Sequence, residues 1–181
     1  MKFLTLALLA HPILSTPLPR RDTASAIYTL RLSSPSTPLD NLYLTTTPNS
    51  TSLTTSPLPI TPLLVHPIFN PTTGLSELHT SASSTLAVVG ANGLLDFSSL
   101  ADPAAVAVPD GTTVDWTRFE LVEEDSSREE GTVKYAGGVE GGRWVAFPTG
   151  EAWSVKWKGA EAWTTENYMP VQVVYELVKE E

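Results

Sequence analysis

The 181 residues contain no cysteine, which excludes thiol catalysis, cysteine-ligated zinc and iron–sulfur chemistry; the chain is long enough to bury a core without disulfide staples. Twenty acidic side chains against eleven basic ones give a formal net charge of −9. That balance repels nucleic acid and anionic membrane, because phosphate binding runs on Lys and Arg.

The chain opens on Met1-Lys2 and an apolar run over residues 3–10, continued to Leu14. One positive charge before a short apolar stretch is the build of a secretory signal peptide, and the run falls short of the ~20 residues that span a bilayer. Pro12, Pro17 and Pro19 end it. Ala10 and Ser15 are both small enough to precede a cut, although Leu8 and Ile13 fit poorly two positions earlier, so the leader is placed over residues 1–19 without a fixed cleavage point. Arg20-Arg21, just before Asp22, resembles the dibasic site used by fungal secretory proteases. Residues 22–181 are then a single domain. Losing Lys2, Arg20 and Arg21 takes its charge from −9 to −12. Asn49-Ser50-Thr51 is an acceptor for N-glycosylation, which predicts an exposed loop there; in Asn70-Pro71-Thr72 the central proline blocks it.

Residues 33–73 are rich in Ser, Thr and Pro, a composition shared with linkers and O-glycosylated stalks. They still hold short β-like runs at 42–47, 52–55 and 62–65, which read as strands with proline-guarded ends. Further strands are predicted at 28–32, 76–80, 85–89, 94–98, 117–122, 133–136, 143–147, 153–158 and 171–178. Asn92-Gly93, Asp110-Gly111, Gly137-Gly138 and Gly141-Gly142 punctuate them and supply the positive φ that tight turns require. The best helical candidate, 101–108, is held to about one turn by Pro103 and Pro109.

Three segments close alike, on the aromatic anchors Phe69, Phe119 and Tyr175, spaced by 50 and 56 residues. Each follows a strand and a hairpin: 42–47 with 52–56, 85–89 with 94–98, and 143–147 with 153–158. Three strand–hairpin–strand copies resemble a β-trefoil, which implies a closed barrel of six strands capped by three hairpins. A β-sandwich of the jelly-roll type would use the same strands with Greek-key connections. The overall pattern resembles small secreted fungal proteins of unknown function.

Chemistry-bearing residues are few. His66 and His79 lie in strand-like runs, and Ser81, Ser83 and Ser84 lack the Gly-x-Ser-x-Gly elbow of a nucleophile. No His-Glu-x-x-His pattern offers zinc a site. The acidic stretch 123–130 lacks the ligand order of a calcium loop and reads as solvated. Asp96, Asp110, Asp115 and Glu151 give no basis for pairing two carboxylates across a cleft. The expectation is no enzyme, no catalytic residue, no metal and no cofactor.

The aromatic pattern says more. All five tryptophans follow residue 115: Trp116, Trp144, Trp153, Trp157 and Trp163. On a strand, Trp153, Val155 and Trp157 share one face. The first reading places Trp116, Trp144, Trp153 and Trp157 in the core, where Trp buries a large area. The functional reading makes Trp153 and Trp157, with Trp163 in the polar stretch 159–167, a platform that stacks on sugar rings. Glu151, Lys156 or Asn167 would supply hydrogen bonds. Ricin-type trefoil lectins carry a Gln-x-Trp signature in each repeat; here the one glutamine, Gln172, precedes Val173-Val174. The expectation is therefore a secreted, non-enzymatic binding protein, monomeric, whose partner is an extracellular glycan or a protein. Two alternatives are a protease inhibitor or effector acting through loops 123–130 or 137–142, and a cell-wall or matrix component suggested by the Ser/Thr/Pro-rich first third.

Overall fold

Strict alternation of burial marks a strand with one face on a core, and β1 (Tyr28–Ser33) shows it without a break: Tyr28, Leu30 and Leu32 are buried while Thr29, Arg31 and Ser33 are half-buried. The computed structural model describes residues 26–36, 38–47, 50–55, 61–124, 129–138 and 140–179. The expected leader over 1–19, the Arg20-Arg21 pair and Asn49 lie outside them. Among the described residues the fold is all-β, with β2 (Leu44–Thr46), β3 (Leu53–Thr55), β4 (Leu64–Phe69), β5 (Ser76–Thr80), β6 (Thr85–Ala91) and β7 (Leu94–Leu100) in the first half. The second half supplies β8 (Thr113–Asp115), β9 (Phe119–Glu123), β10 (Glu130–Tyr135), β11 (Arg143–Thr149), β12 (Ala152–Lys158), β13 (Met169–Pro170) and β14 (Gln172–Leu177).

Six of these strands form a ring of antiparallel pairs: β1–β4, β4–β5, β5–β9, β9–β10, β10–β14 and β14–β1. The pairing of Ser76 with Phe119 closes it. Closure removes the exposed edges that an open sheet would carry. It also makes the sheet one connected surface, where the sandwich alternative requires two stacked sheets.

The three predicted hairpins form as β2–β3, β6–β7 and β11–β12. They are joined to one another, since β12 pairs with both β3 and β7 and a bridge links Ser52 to Ser98. At the tip of β6–β7, Asn92 and Gly93 take φ of 53° and 75°, the left-handed pair that matches the twist of a two-residue hairpin. Pro67 is tolerated within β4 because pairing with β1 involves only Leu64 and Val65, so its missing N–H costs no ladder bond on that side.

Several boundaries differ from the expectation. The strand predicted at 62–65 begins at Leu64 and runs on to Phe69, and that predicted at 133–136 begins at Glu130, inside the stretch expected to be a solvated loop. β8 and β13 were not predicted. They are short, weakly apolar edge pieces held by pairing, β8 on β6 and β13 on β11. The predicted single turn within 101–108 is a 3-10 turn over Pro103–Ala105, capped by Asp102, whose Oδ1 accepts from the Ala104 N–H at 3.0 Å. No helix among the described residues is long and apolar enough to cross a membrane.

Candidate functional site

The tryptophans divide. Trp144 and Trp157 are buried, Trp116 and Trp153 are half-buried, and Trp163 is 82% exposed. The face shared by Trp153, Val155 and Trp157 packs on the core. Trp144 and Trp157 belong to a closed circuit of ring contacts. Phe97 meets Trp144 at 4.8 Å between centroids, Trp144 meets Trp157 at 5.2 Å, Trp157 meets Tyr135 at 5.5 Å, Tyr135 meets Phe119 at 6.0 Å and Phe119 returns to Phe97 at 5.7 Å. Both contacts of Trp157 are edge-to-face, the geometry that the ring quadrupole favours. The circuit joins barrel strands β9 and β10 to hairpin strands β7, β11 and β12.

One side of this circuit borders a cavity of about 420 Å³. Its walls are Tyr135 and Trp157, the hairpin tip Asn92-Gly93 with Leu95, Thr113 at the start of β8, the turn Gly137-Gly138, and residues 159–162. Glycines bring the backbone this close. A Cβ on Gly142 would stand 2.5 Å from Trp157 Cζ2, and one on Gly137 would stand 2.2 Å from the Tyr135 hydroxyl. Ala162 is buried in the wall, and the next residue is the exposed Trp163. The pocket's size lies within the ~300–1,000 Å³ of small-molecule sites, and Trp163 itself is not one of its lining residues.

Charge around the cavity is sparse. Behind Tyr135, the buried Asp115 accepts from the Tyr135 hydroxyl at 2.7 Å, from the Thr117 N–H at 3.1 Å and from Arg118 Nε. Burial pushes the Tyr135 hydroxyl well above the usual phenol range; the hydrogen bond to Asp115 and its charge push the same way, against a smaller opposing effect of Arg118. The Arg118 guanidinium, pulled down by burial, is carried up on balance by its hydrogen bond to Asp115 and that carboxylate's charge. Among the described residues Glu161 is the one ionisable carboxylate lining the cavity, and none of those that line it is Lys or Arg.

The expected hydrogen-bond suppliers Glu151, Lys156 and Asn167 do not line this cavity; Asn92, Thr113 and Glu161 do. Lys156 is instead paired with Asp96 at 3.0 Å. Trp153 packs elsewhere, opposite Thr55 of β3. Sequence reasoning missed Tyr135 and Thr113 as lining residues, and it read Gly137-Gly138 as a turn and as part of a protein-contacting loop, not as the wall of a cavity. The signal it had was the density of glycines between 137 and 142 beside the tryptophans.

The histidines come together, directly opposite in the β4–β5 register with ring centroids 5.7 Å apart. His79 lies between Glu77 Oε2 at 3.0 Å and Thr85 Oγ1 at 3.3 Å. Thr85 is buried. Ser84 bonds to Thr80 at 2.7 Å and Ser99 at 2.6 Å, not to either histidine. Among the described residues no three His, Asp or Glu side chains are placed to hold a metal ion. Set against known proteins, the chain matches no protein-family model, no curated protein and no solved structure, so its pocket and its exposed tryptophan have to be read from their own chemistry.

Proposed function

We propose that this chain is a secreted, non-enzymatic carbohydrate-binding protein of β-trefoil build, with Trp163 as its contact side chain. The strand order supports the build: β1 and β4 flank the hairpin β2–β3, β5 and β9 flank β6–β7, and β10 and β14 flank β11–β12. Each flanking pair lies in the ring, and β8 and β13 are additions to that plan. The acidic surface and the leader-like start fit a protein handled outside the cell.

The observation that carries the reading is the exposure of Trp163, 82%, one residue from the wall of the cavity. A large aromatic left in water costs apolar hydration, and its flat face suits the C–H face of a sugar ring. Glycan-array binding of the wild type beside Trp163→Ala tests it. The substitution leaves the melting temperature within a degree or two, since the side chain is barely packed, and weakens glycan binding about tenfold or more. Equal retention of both proteins, or retention of neither, overturns the reading.

A further inference from the structure

The sheet holds two pairs of like charges and treats them differently. Glu130 of β10 faces Glu176 of β14 in register, and Arg31 lies across both, its guanidinium bonded to each carboxylate. Arg143 of β11 faces Lys158 of β12 in the same way. Like charges directly opposite on neighbouring strands repel. No carboxylate among the described residues forms an ion pair with either cation, although the adjoining loops carry Glu140, Glu161 and Glu166. With twenty acidic side chains against eleven basic ones, the chain has no shortage of carboxylates to place there. Lys156, two residues back on the same face, has its own partner in Asp96 at 3.0 Å.

The pair faces outward beside aromatic surface. Trp144 and Trp157, next along the two strands and again opposite one another, turn into the core, so Arg143 and Lys158 point away from it. Arg143 is exposed and Lys158 is half-buried, with Nζ 5.8 Å from the centre of the Tyr168 ring. Residues 159–167 leave Lys158 and return to Tyr168, and Trp163 lies in the middle of that span. The turn before Arg143 meets the same span, since a Cβ on Gly141 would stand 3.4 Å from Ala160 Cβ. Two cations without ion pairs, a phenol ring and the loop of the exposed indole thus share one end of the β11–β12 hairpin.

We infer that Arg143 and Lys158 together hold the acid group, a carboxylate or a sulfate ester, of a charged saccharide. The inference rests on the carbohydrate reading above and narrows it from glycans at large to acidic ones. The Arg143 guanidinium presents a planar fork that matches either oxyanion, and the Lys158 ammonium adds a second charge. An anion between them turns a repulsive pair into two charge-assisted contacts. The negative net charge of the chain does not prevent this. At physiological salt, charges more than about 8 Å away are largely screened, while the two cations act in contact.

The test is a titration of the full chain with an oligogalacturonate, a sulfated disaccharide, their uncharged counterparts and inorganic sulfate. Wild type is compared with Arg143→Gln, Lys158→Gln and Lys134→Gln, the last removing an exposed cation elsewhere, on β10, to match the change in charge. One acidic saccharide is expected to bind about tenfold tighter than its uncharged counterpart. It should weaken about tenfold in Arg143→Gln and in Lys158→Gln and stay unchanged in Lys134→Gln. The melting temperature of Arg143→Gln should hold or rise, because the substitution removes a repulsion. Acidic and uncharged glycans bound alike by wild type and both variants overturn this inference and leave the carbohydrate reading standing. Equal weakening by Lys134→Gln overturns it too, as an effect of net charge alone. Inorganic sulfate that competes as well as the sulfated sugar overturns the assignment to a saccharide. Binding of no glycan at all overturns both readings.

Discussion

Tyr135 carries the clearest titration signature in the molecule. Its hydroxyl is buried against Asp115, and both the burial and the carboxylate favour the neutral phenol in the folded state. In the unfolded chain the same group ionises at about pH 10. Its folded value is higher, so the contribution to stability is whole below about pH 10 and is lost as pH rises through the folded value, because unfolding then releases a proton. Denaturant unfolding followed from pH 8 to 11 should show stability falling with pH in the wild type and a shallower fall in Tyr135→Phe. The absorbance of ionised phenol gained on titrating the folded protein through pH 10 should be the same in wild type and Tyr135→Phe, because that hydroxyl stays protonated there. Equal slopes for the two proteins would remove the coupling to Asp115. At neutral pH the same substitution gives up one buried hydrogen bond, about 1 kcal/mol.

Among elements, the seam of β1, β14 and β10 shows how a charged residue can hold a sheet together. Glu130 of β10 and Glu176 of β14 are paired in register, a like-charge arrangement that is unfavourable by itself. Arg31 of β1 lies across both, with Nε donating to Glu176 Oε1 at 2.6 Å and Nη2 to Glu130. Burial lowers the Arg31 pKa, but the hydrogen bond to Glu176 and the charges of Glu176 and Glu130 outweigh it and raise the value overall. Replacing Arg31 with Met removes the cation and leaves two facing carboxylates, so a loss of about 1–3 kcal/mol is expected. Arg31→Met with Glu130→Gln should recover part of it in a double-mutant cycle. Additive effects in that cycle would mean that the three side chains do not act together.

At the scale of the molecule, the aromatic circuit joins ring strands to hairpin strands, so barrel and hairpins share one core. Phe97 is fully buried between Phe119 and Trp144. Phe97→Ala should cost about 3–5 kcal/mol through lost burial and the cavity left behind. The loss should appear as one lowered cooperative transition by both near- and far-ultraviolet circular dichroism. Two separated transitions would show instead that the hairpins and the ring unfold independently.

Much of this architecture is legible in the order of residues, because its causes are local. Period-two patterning marks β1 and the shared face of Trp153, Val155 and Trp157, and Asn92-Gly93 marks a tight hairpin by its tolerance of positive φ. What lies beyond local chemistry was not legible. β8 and β13 owe their existence to the partners beside them, and the unpredicted start of β10 at Glu130 owes its place to Arg31 reaching across β14. The facing of His66 and His79 is a matter of register between two strands, which neither run specifies alone. The sequence determined by itself the all-β class, the three hairpins and a mainly buried role for most tryptophans. Tertiary structure alone decided that the ring closes through Ser76 and Phe119, and that residues from 92 to 162 surround one cavity beside an indole N–H that has no hydrogen-bond partner among the described residues. Burial and hydrogen-bond completion depend on which distant segments meet, and turn propensity and alternation carry no record of that.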